Sequence, residues 1–279
     1  LPTSEATFPG GAQFGVEIPT VNTFAAAKAL LRETQRLGVT VNRIDETLGA
    51  FRHTRAELLE YAALCRGSGV ALTVSIGPRA AYDTSATRGY RLRGEEQLVR
   101  ALEDAKRVCD LGIRGLLVYD EGLLWVLSEA RKTGELPADT VLKASAHCGH
   151  GNGASFRLLE QCGADSINPV RDLSLDMLCA LRASVSVPLD VHTDCPEGSG
   201  GFIRTYEAPE IVRCCAPVYL KIGNSALAAH GSLPTEADAA RMAQQAAIVM
   251  EMLERYLPEA RQLARGEGRG LVAEAEVRV

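Results

Sequence analysis

The chain has 279 residues, 46% of them hydrophobic and 23% charged, with a formal net charge of -5. These are ordinary globular values that allow a sizeable single core, and they exclude wholesale disorder and a strongly basic surface for nucleic acid. No apolar run reaches the roughly 18 to 20 residues that cross a bilayer, and the eight cysteines show no CxxC or zinc-finger spacing, so a cytoplasmic protein with no nucleic-acid or membrane partner is expected.

Apolar runs of period two alternate with amphipathic runs of period 3.6 through nearly the whole length, the pattern of parallel strands joined by helices. In chain order the strands read Phe14 to Pro19, Val39 to Asp45, Ala71 to Ile76, Arg114 to Tyr119, Val141 to His147, Ser166 to Val170, Leu189 to His192 and Val218 to Ile222. Helices fill the gaps, and several stop at a glycine suited to a left-handed cap, at Gly38, Gly69, Gly112 and Gly163. Thr54 with Glu57 forms a capping box at the second helix, and Ser174 is placed to cap the sixth. Pro188 and Pro217 open strands, where a missing N–H is tolerated.

About eight such units predict an α/β fold of the (β/α)8 TIM-barrel type over residues 1–265. Residues 266–279 follow a long helix, Glu236 to Leu263, and read as a tail or an arm of a homo-oligomer. The segment 77–94, polar and rich in Arg and Gly, reads either as a lid or as a passive loop. An open doubly wound sheet is the alternative, but EIPTVNT after the first strand lacks the glycine-rich phosphate turn of that fold.

In such barrels chemistry gathers where the strands end. All five histidines fall there: His53, His147, His150, His192 and His230. Glu17 lies on strand one, Arg43, Asp45 and Glu46 on strand two, and Tyr119, Asp120 and Glu121 at the end of strand four. Lys143, Ser145 and His147 share one face of strand five, and Asp190, His192 and Asp194 one face of strand seven, because side chains alternate. Asn168 lies on strand six; Lys221 lies on strand eight, with Asn224 just beyond it. A charge inside an apolar barrel is costly unless it is paired, bound to an ion or open to the mouth.

The set His147, Asp190, His192 and Glu121 is a candidate site for a divalent metal ion. A metal-free network that orients substrate, and a merely structural network, are the other readings. Lys143 and Lys221 are Schiff-base candidates, although a lysine paired with Asp190 or Glu121 is the commoner arrangement. The glycine runs GHGNG and GSGG are weak signals for an anion cradle. Arg79, Arg171 and Arg204, together with His150, are candidate contacts to an acidic or phosphorylated small-molecule substrate. Cys148 and Cys195, beside His147 and His192, offer a thiolate nucleophile or plain packing.

The stretches GADSINPVRDLSLDML and VPLDVHTDC resemble the collagenase-like peptidase family, peptidase U thirty-two, over about residues 140–200. Arg171, Asp172, Leu173, Ser174 and Leu175 stand in the first motif, and His192 and Cys195 in the second. The resemblance implies a barrel hydrolase. The Ser-Gly-x-Cys continuation of the family pattern is missing, and no set of four cysteines marks an iron-sulfur cluster, so no cluster is expected.

The leading expectation is an enzyme doing acid/base chemistry, metal-assisted or not, of lyase, isomerase or hydrolase type on a small polar or anionic metabolite. A collagenase-like peptidase is the alternative, and a non-catalytic small-molecule-binding barrel comes from a different class.

Overall fold

A computed structural model of the protein describes residues 1–77 and 91–275. Among these, eight parallel strands close a barrel in sequence order, with β1 paired to both β2 and β8. They are β1 Phe14–Ile18, β2 Arg43–Glu46, β3 Ala71–Ile76, β4 Gly115–Val118, β5 Val141–Ala144, β6 Ser166–Ile167, β7 Leu189–His192 and β8 Val218–Lys221. The helices between and after them are α1 Phe24–Arg36, α2 Arg55–Ser68, α3 Gly94–Asp110, α4 Glu121–Thr133, α5 Gly153–Gln161, α6 Leu175–Ser184, α7 Ala208–Cys215 and α8 Glu236–Tyr256. The expected (β/α)8 barrel is the fold, and each expected strand is present.

The differences lie at the ends. Strand β5 stops at Ala144 because Ser145 begins a 3-10 turn, its hydroxyl accepting from the His147 amide at 3.2 Å. Helix α8 ends at Tyr256, since Leu257 precedes a proline that disfavours helical backbone there. Thr54 and Glu57 form the expected capping box. Ser174 makes no cap bond; its hydroxyl donates to Asp176 instead, at 2.5 Å.

The alternation of the strands separates two environments. Val16, Ile18, Ile44, Leu72, Val74, Leu116, Leu142, Leu189, Val191 and Leu220 are buried in the apolar core, which lies between the sheet and the helices. The other face carries Glu17, Arg43, Asp45, Thr73, Ser75, Lys143, Ser166, Asp190, His192 and Lys221, all buried as well. The lumen is therefore polar where a barrel of this kind ordinarily stacks branched aliphatic side chains.

Residues 266–275, expected as a tail or arm, lie against the barrel's N-terminal end. The Gly266 amide donates to Gly69, Leu271 bridges Ala71, and the Ala273 amide donates to Gly112. From the other terminus, Phe8 and Ala12 pack with Tyr219 and Leu263 in a small second cluster.

Candidate active site

Six charged side chains meet in the lumen. Glu17 accepts from Arg43, with Nε at 2.7 Å, and from both Lys143 and Lys221. Asp45 accepts from Lys143 at 3.0 Å and Lys221 at 2.8 Å. Asp190 accepts from Arg43 at 2.5 Å and from the Ser166 hydroxyl at 2.8 Å, with Lys143 3.6 Å away. Three carboxylates thus face three cations, and the cluster is formally neutral. The register explains the meeting, because Glu17 stands opposite Arg43 on one side and Lys221 on the other.

Burial and neighbours tune each group. Burial opposes ionisation of Glu17, but Arg43, Lys143 and Lys221 together hold its carboxyl well below the usual range. Asp45 is pushed up, first by burial and then by the Glu17 carboxylate beside it. The two lysines part company. Burial and the Arg43 guanidinium pull Lys143 down, whereas for Lys221 the pull of Asp45 and Glu17 outweighs burial and holds the ammonium form.

Above this cluster, toward the strand ends, Tyr119, His147, Asn168, Arg171, His192 and Lys221 line one small hollow with His230. The His147 ring lies 5.5 Å from that of His230, which lies 6.2 Å from that of His192. Tyr119 is held by Ser75, hydroxyl to hydroxyl at 2.7 Å, and by the Thr47 carbonyl at 3.3 Å. Arg171 reaches to 3.4 Å from His147 Nε2. Burial, then Arg171 and Lys221, drive His192 well below its ordinary value, so it is a neutral imidazole. Its Nδ1 is buried with no hydrogen-bond partner among the described residues. The free space between these side chains is about 20 Å³, room for one water.

Not every expected residue joins this mouth. Glu121 pairs with His150 at 2.5 Å and with Arg91, to one side of it. Arg204 donates to the Leu173 carbonyl at 2.7 Å and to Glu207, and lines a separate surface groove with Tyr206. Asn224 is buried, accepting from Thr20 at 3.0 Å, and does not line the hollow. Arg79 and most of the segment 77–94 lie outside the described residues.

The expected metal set does not assemble. Asp190 is engaged by Arg43 and Ser166 below His192, and Glu121 is engaged by Arg91 and His150. Among the described residues no three His, Cys, Asp or Glu side chains are arranged to hold a metal ion. The described residues offer a divalent ion no ready set of ligands. Burial pushes the Cys195 thiol up to about 12 and Cys148 to about 11, which favours packing over a thiolate at either position.

Two residues named in the sequence gain their neighbours only in the fold. His230 was visible only as a histidine after β8, since nothing in its spacing places it between His147 and His192. Asp194 fastens the loop after β8, accepting from the Gly223 amide at 2.9 Å and the Ser225 amide at 2.6 Å. No pattern could have revealed that, because its partners lie some thirty residues away.

No family model matches the chain, and no curated protein matches it. Among solved structures it is similar to a candidate fructose-1,6-biphosphate aldolase from Coccidioides immitis, at 15% identity and a TM-score of 0.52 over 88% of this chain and 93% of that one. It is also similar to an oxaloacetate acetylhydrolase in complex with oxalate, at 12% identity and TM-score 0.50 over 87% and 92% of the two chains. A 3-hexulose-6-phosphate synthase matches at 13% identity and TM-score 0.50 over 84% and 99%. These findings overturn the resemblance to the collagenase-like peptidases, since no such family is matched and the barrels of similar fold are of other kinds. At such identities the likeness is one of fold: the chain shares the (β/α)8 barrel architecture of these enzymes.

Proposed function

We propose that this protein is an enzyme of lyase type that works on a small anionic metabolite by acid/base chemistry at the barrel mouth. The observation that carries the reading is the buried, charge-balanced cluster of Glu17, Asp45, Asp190, Arg43, Lys143 and Lys221 directly beneath a hollow lined by imidazoles. Desolvating six charges costs several kcal/mol per ion before pairing, and an aliphatic lumen of equal volume is often at least as stable. Such a cluster is the physical device for fixing protonation states at a site. A non-catalytic barrel has no comparable need of it.

The roles follow from position. Arg171 offers a planar guanidinium to a carboxylate or phosphate of the substrate. Lys221, held as ammonium, faces the mouth where negative charge develops on a carbonyl oxygen as an adjacent C–H or C–C bond gives up its electron pair. Neutral His192 is able to take or return the proton. Lys143, beneath Lys221, positions Glu17 and Asp45 and through them the Lys221 ammonium. The aldolase and the acetylhydrolase of similar fold lend the reading an analogy of architecture only.

Hydrogen–deuterium exchange at the C–H next to a carbonyl tests this without knowledge of the full substrate. Pyruvate and dihydroxyacetone phosphate are incubated with the protein in D2O and followed by proton NMR. Enzyme-dependent exchange is expected for at least one of them. It is abolished in Lys221→Met and needs higher substrate concentration in Arg171→Ala. Exchange with neither compound, or exchange unchanged in Lys221→Met, overturns the proposal.

A further inference from the structure

A second opening reaches lumen residues from the end of the barrel opposite the mouth. A cavity of about 420 Å³ lies at the N-terminal end of the barrel, bounded by the N-terminal segment at Phe8 and Pro9 and the C-terminal segment at Gly268 and Arg269. Its volume falls in the range of small-molecule sites and far exceeds that of the mouth. Val141, Val187, Pro188, Pro217 and Leu263 supply apolar wall.

Thr7, Asp165, Ser166, Ser186 and Arg269 also border this space, and two further polar groups, Arg43 and Tyr219, line it. Arg43, 3% exposed, lines it; its Nε and Nη2 are taken by Glu17 and Asp190, while Nη1 makes no hydrogen bond among the described residues. The guanidinium lies 3.8 Å over the Tyr219 ring, which Phe8 braces edge-on at 5.1 Å. Tyr219 also lines the cavity, and its hydroxyl likewise bonds to no described residue. Gly268 passes over that hydroxyl; a side chain there would meet it at 3.4 Å. Arg43 and Tyr219 thus bring two donors to the wall of a partly apolar hole.

We infer that this cavity is a second ligand site, for an uncharged molecule with an apolar ring or short chain and one carbonyl or amide oxygen directed at Arg43 and Tyr219. The charge count selects against an anion. Glu17 and Asp190 already face the Arg43 guanidinium, and at the rim Arg269 is paired with Asp165 at 2.7 Å. A further carboxylate would bring a buried negative charge with no fresh cation to meet it. A neutral oxygen accepts the two donors without that cost. The site stands apart from the mouth, so it holds whether or not the proposed chemistry there is right.

Acetanilide, an uncharged aromatic amide, is a suitable probe, with benzoate as its charged counterpart. Binding to the full chain is read by saturation-transfer NMR and calorimetry. Acetanilide is expected to bind saturably with Kd on the order of 1 mM, as its ten heavy atoms allow, and benzoate more weakly. Thr7→Trp, at an exposed residue on the cavity rim, should weaken acetanilide about tenfold by filling the entrance. Tyr219→Phe, which keeps the ring under Arg43, should weaken it about fivefold through the lost hydroxyl. Circular dichroism checks that both variants fold, and Arg171→Ala, at the mouth, should leave the affinity unchanged. No saturable binding, equal affinity in Thr7→Trp and the parent chain, or sensitivity to Arg171→Ala would each overturn the inference.

Discussion

Lys143 and Lys221 touch the same two carboxylates, Glu17 and Asp45, yet differ in outlook: only Lys221 also lines the mouth. Replacing either by Met leaves buried carboxylates short of a cation. Each variant should lose about 3 to 5 kcal/mol of stability in urea unfolding. Only Lys221→Met removes a charge that a bound substrate can feel, so Lys143→Met should retain binding of a small carboxylate while Lys221→Met loses it. Equal binding loss in both would show that the cluster acts as one unit rather than as a ladder from floor to mouth.

His192 gives a second expectation at this scale. Its folded-state value lies well below the ordinary 6.5, first through burial and then through Arg171 and Lys221. Above about pH 6.5 the imidazole is neutral folded or unfolded and contributes no pH dependence. Below it the unfolded chain takes up a proton that the folded chain refuses. Stability therefore falls with decreasing pH, by at most about 1.4 kcal/mol per unit from this one group. His192→Asn should flatten the slope of urea midpoint against pH between about 6.5 and 5; an unchanged slope would mean the imidazole is charged in the fold.

Among the elements, helix stops show how far local chemistry reaches. Gly38, Gly69, Gly112 and Gly163 all have positive φ, as their places after helices suggested. Gly112 has a tertiary duty as well. A Cβ there would lie 2.3 Å from the Ala273 carbonyl, in the segment that crosses the barrel's N-terminal end. Gly112→Ala should cost about 1 to 3 kcal/mol and make residues near 273 cleavable by protease under conditions where the parent chain resists. Thr54→Ala, which removes one half of a capping box on α2, should cost about 1 kcal/mol by thermal unfolding and leave protease resistance at the C-terminus intact.

For the whole molecule, the polarity of the barrel is the unusual feature. Its apolar core lies between sheet and helices, while the lumen is charged, with a small opening at the strand ends and a larger one at the far end. Leu263 and Val272, both buried, help to close that far end. Truncation after residue 260 uncovers Phe14, Tyr219 and Arg43, and should lower the thermal midpoint and admit solvent to the ionic cluster. An unchanged midpoint would mean that the C-terminal segment is ornament rather than closure.

Eight strands, their order and their inward faces were legible in the sequence, because period two and period 3.6 are written residue by residue and each strand's burial follows from its own alternation. So was the inward placing of ionisable groups: Glu17, Asp45, Lys143, Asp190, His192 and Lys221 each occupy positions that alternation alone assigns, although the fold sets them at two levels rather than one. What alternation cannot state is who meets whom. That Asp190 turns to Arg43 instead of joining His192 at a metal, that Glu121 leaves the mouth for His150, and that His230 enters it from a loop depend on distances across the lumen. Barrel closure and register fix those distances, and electrostatics then sorts the buried charges into pairs, so the partners of each group belong to the tertiary structure alone.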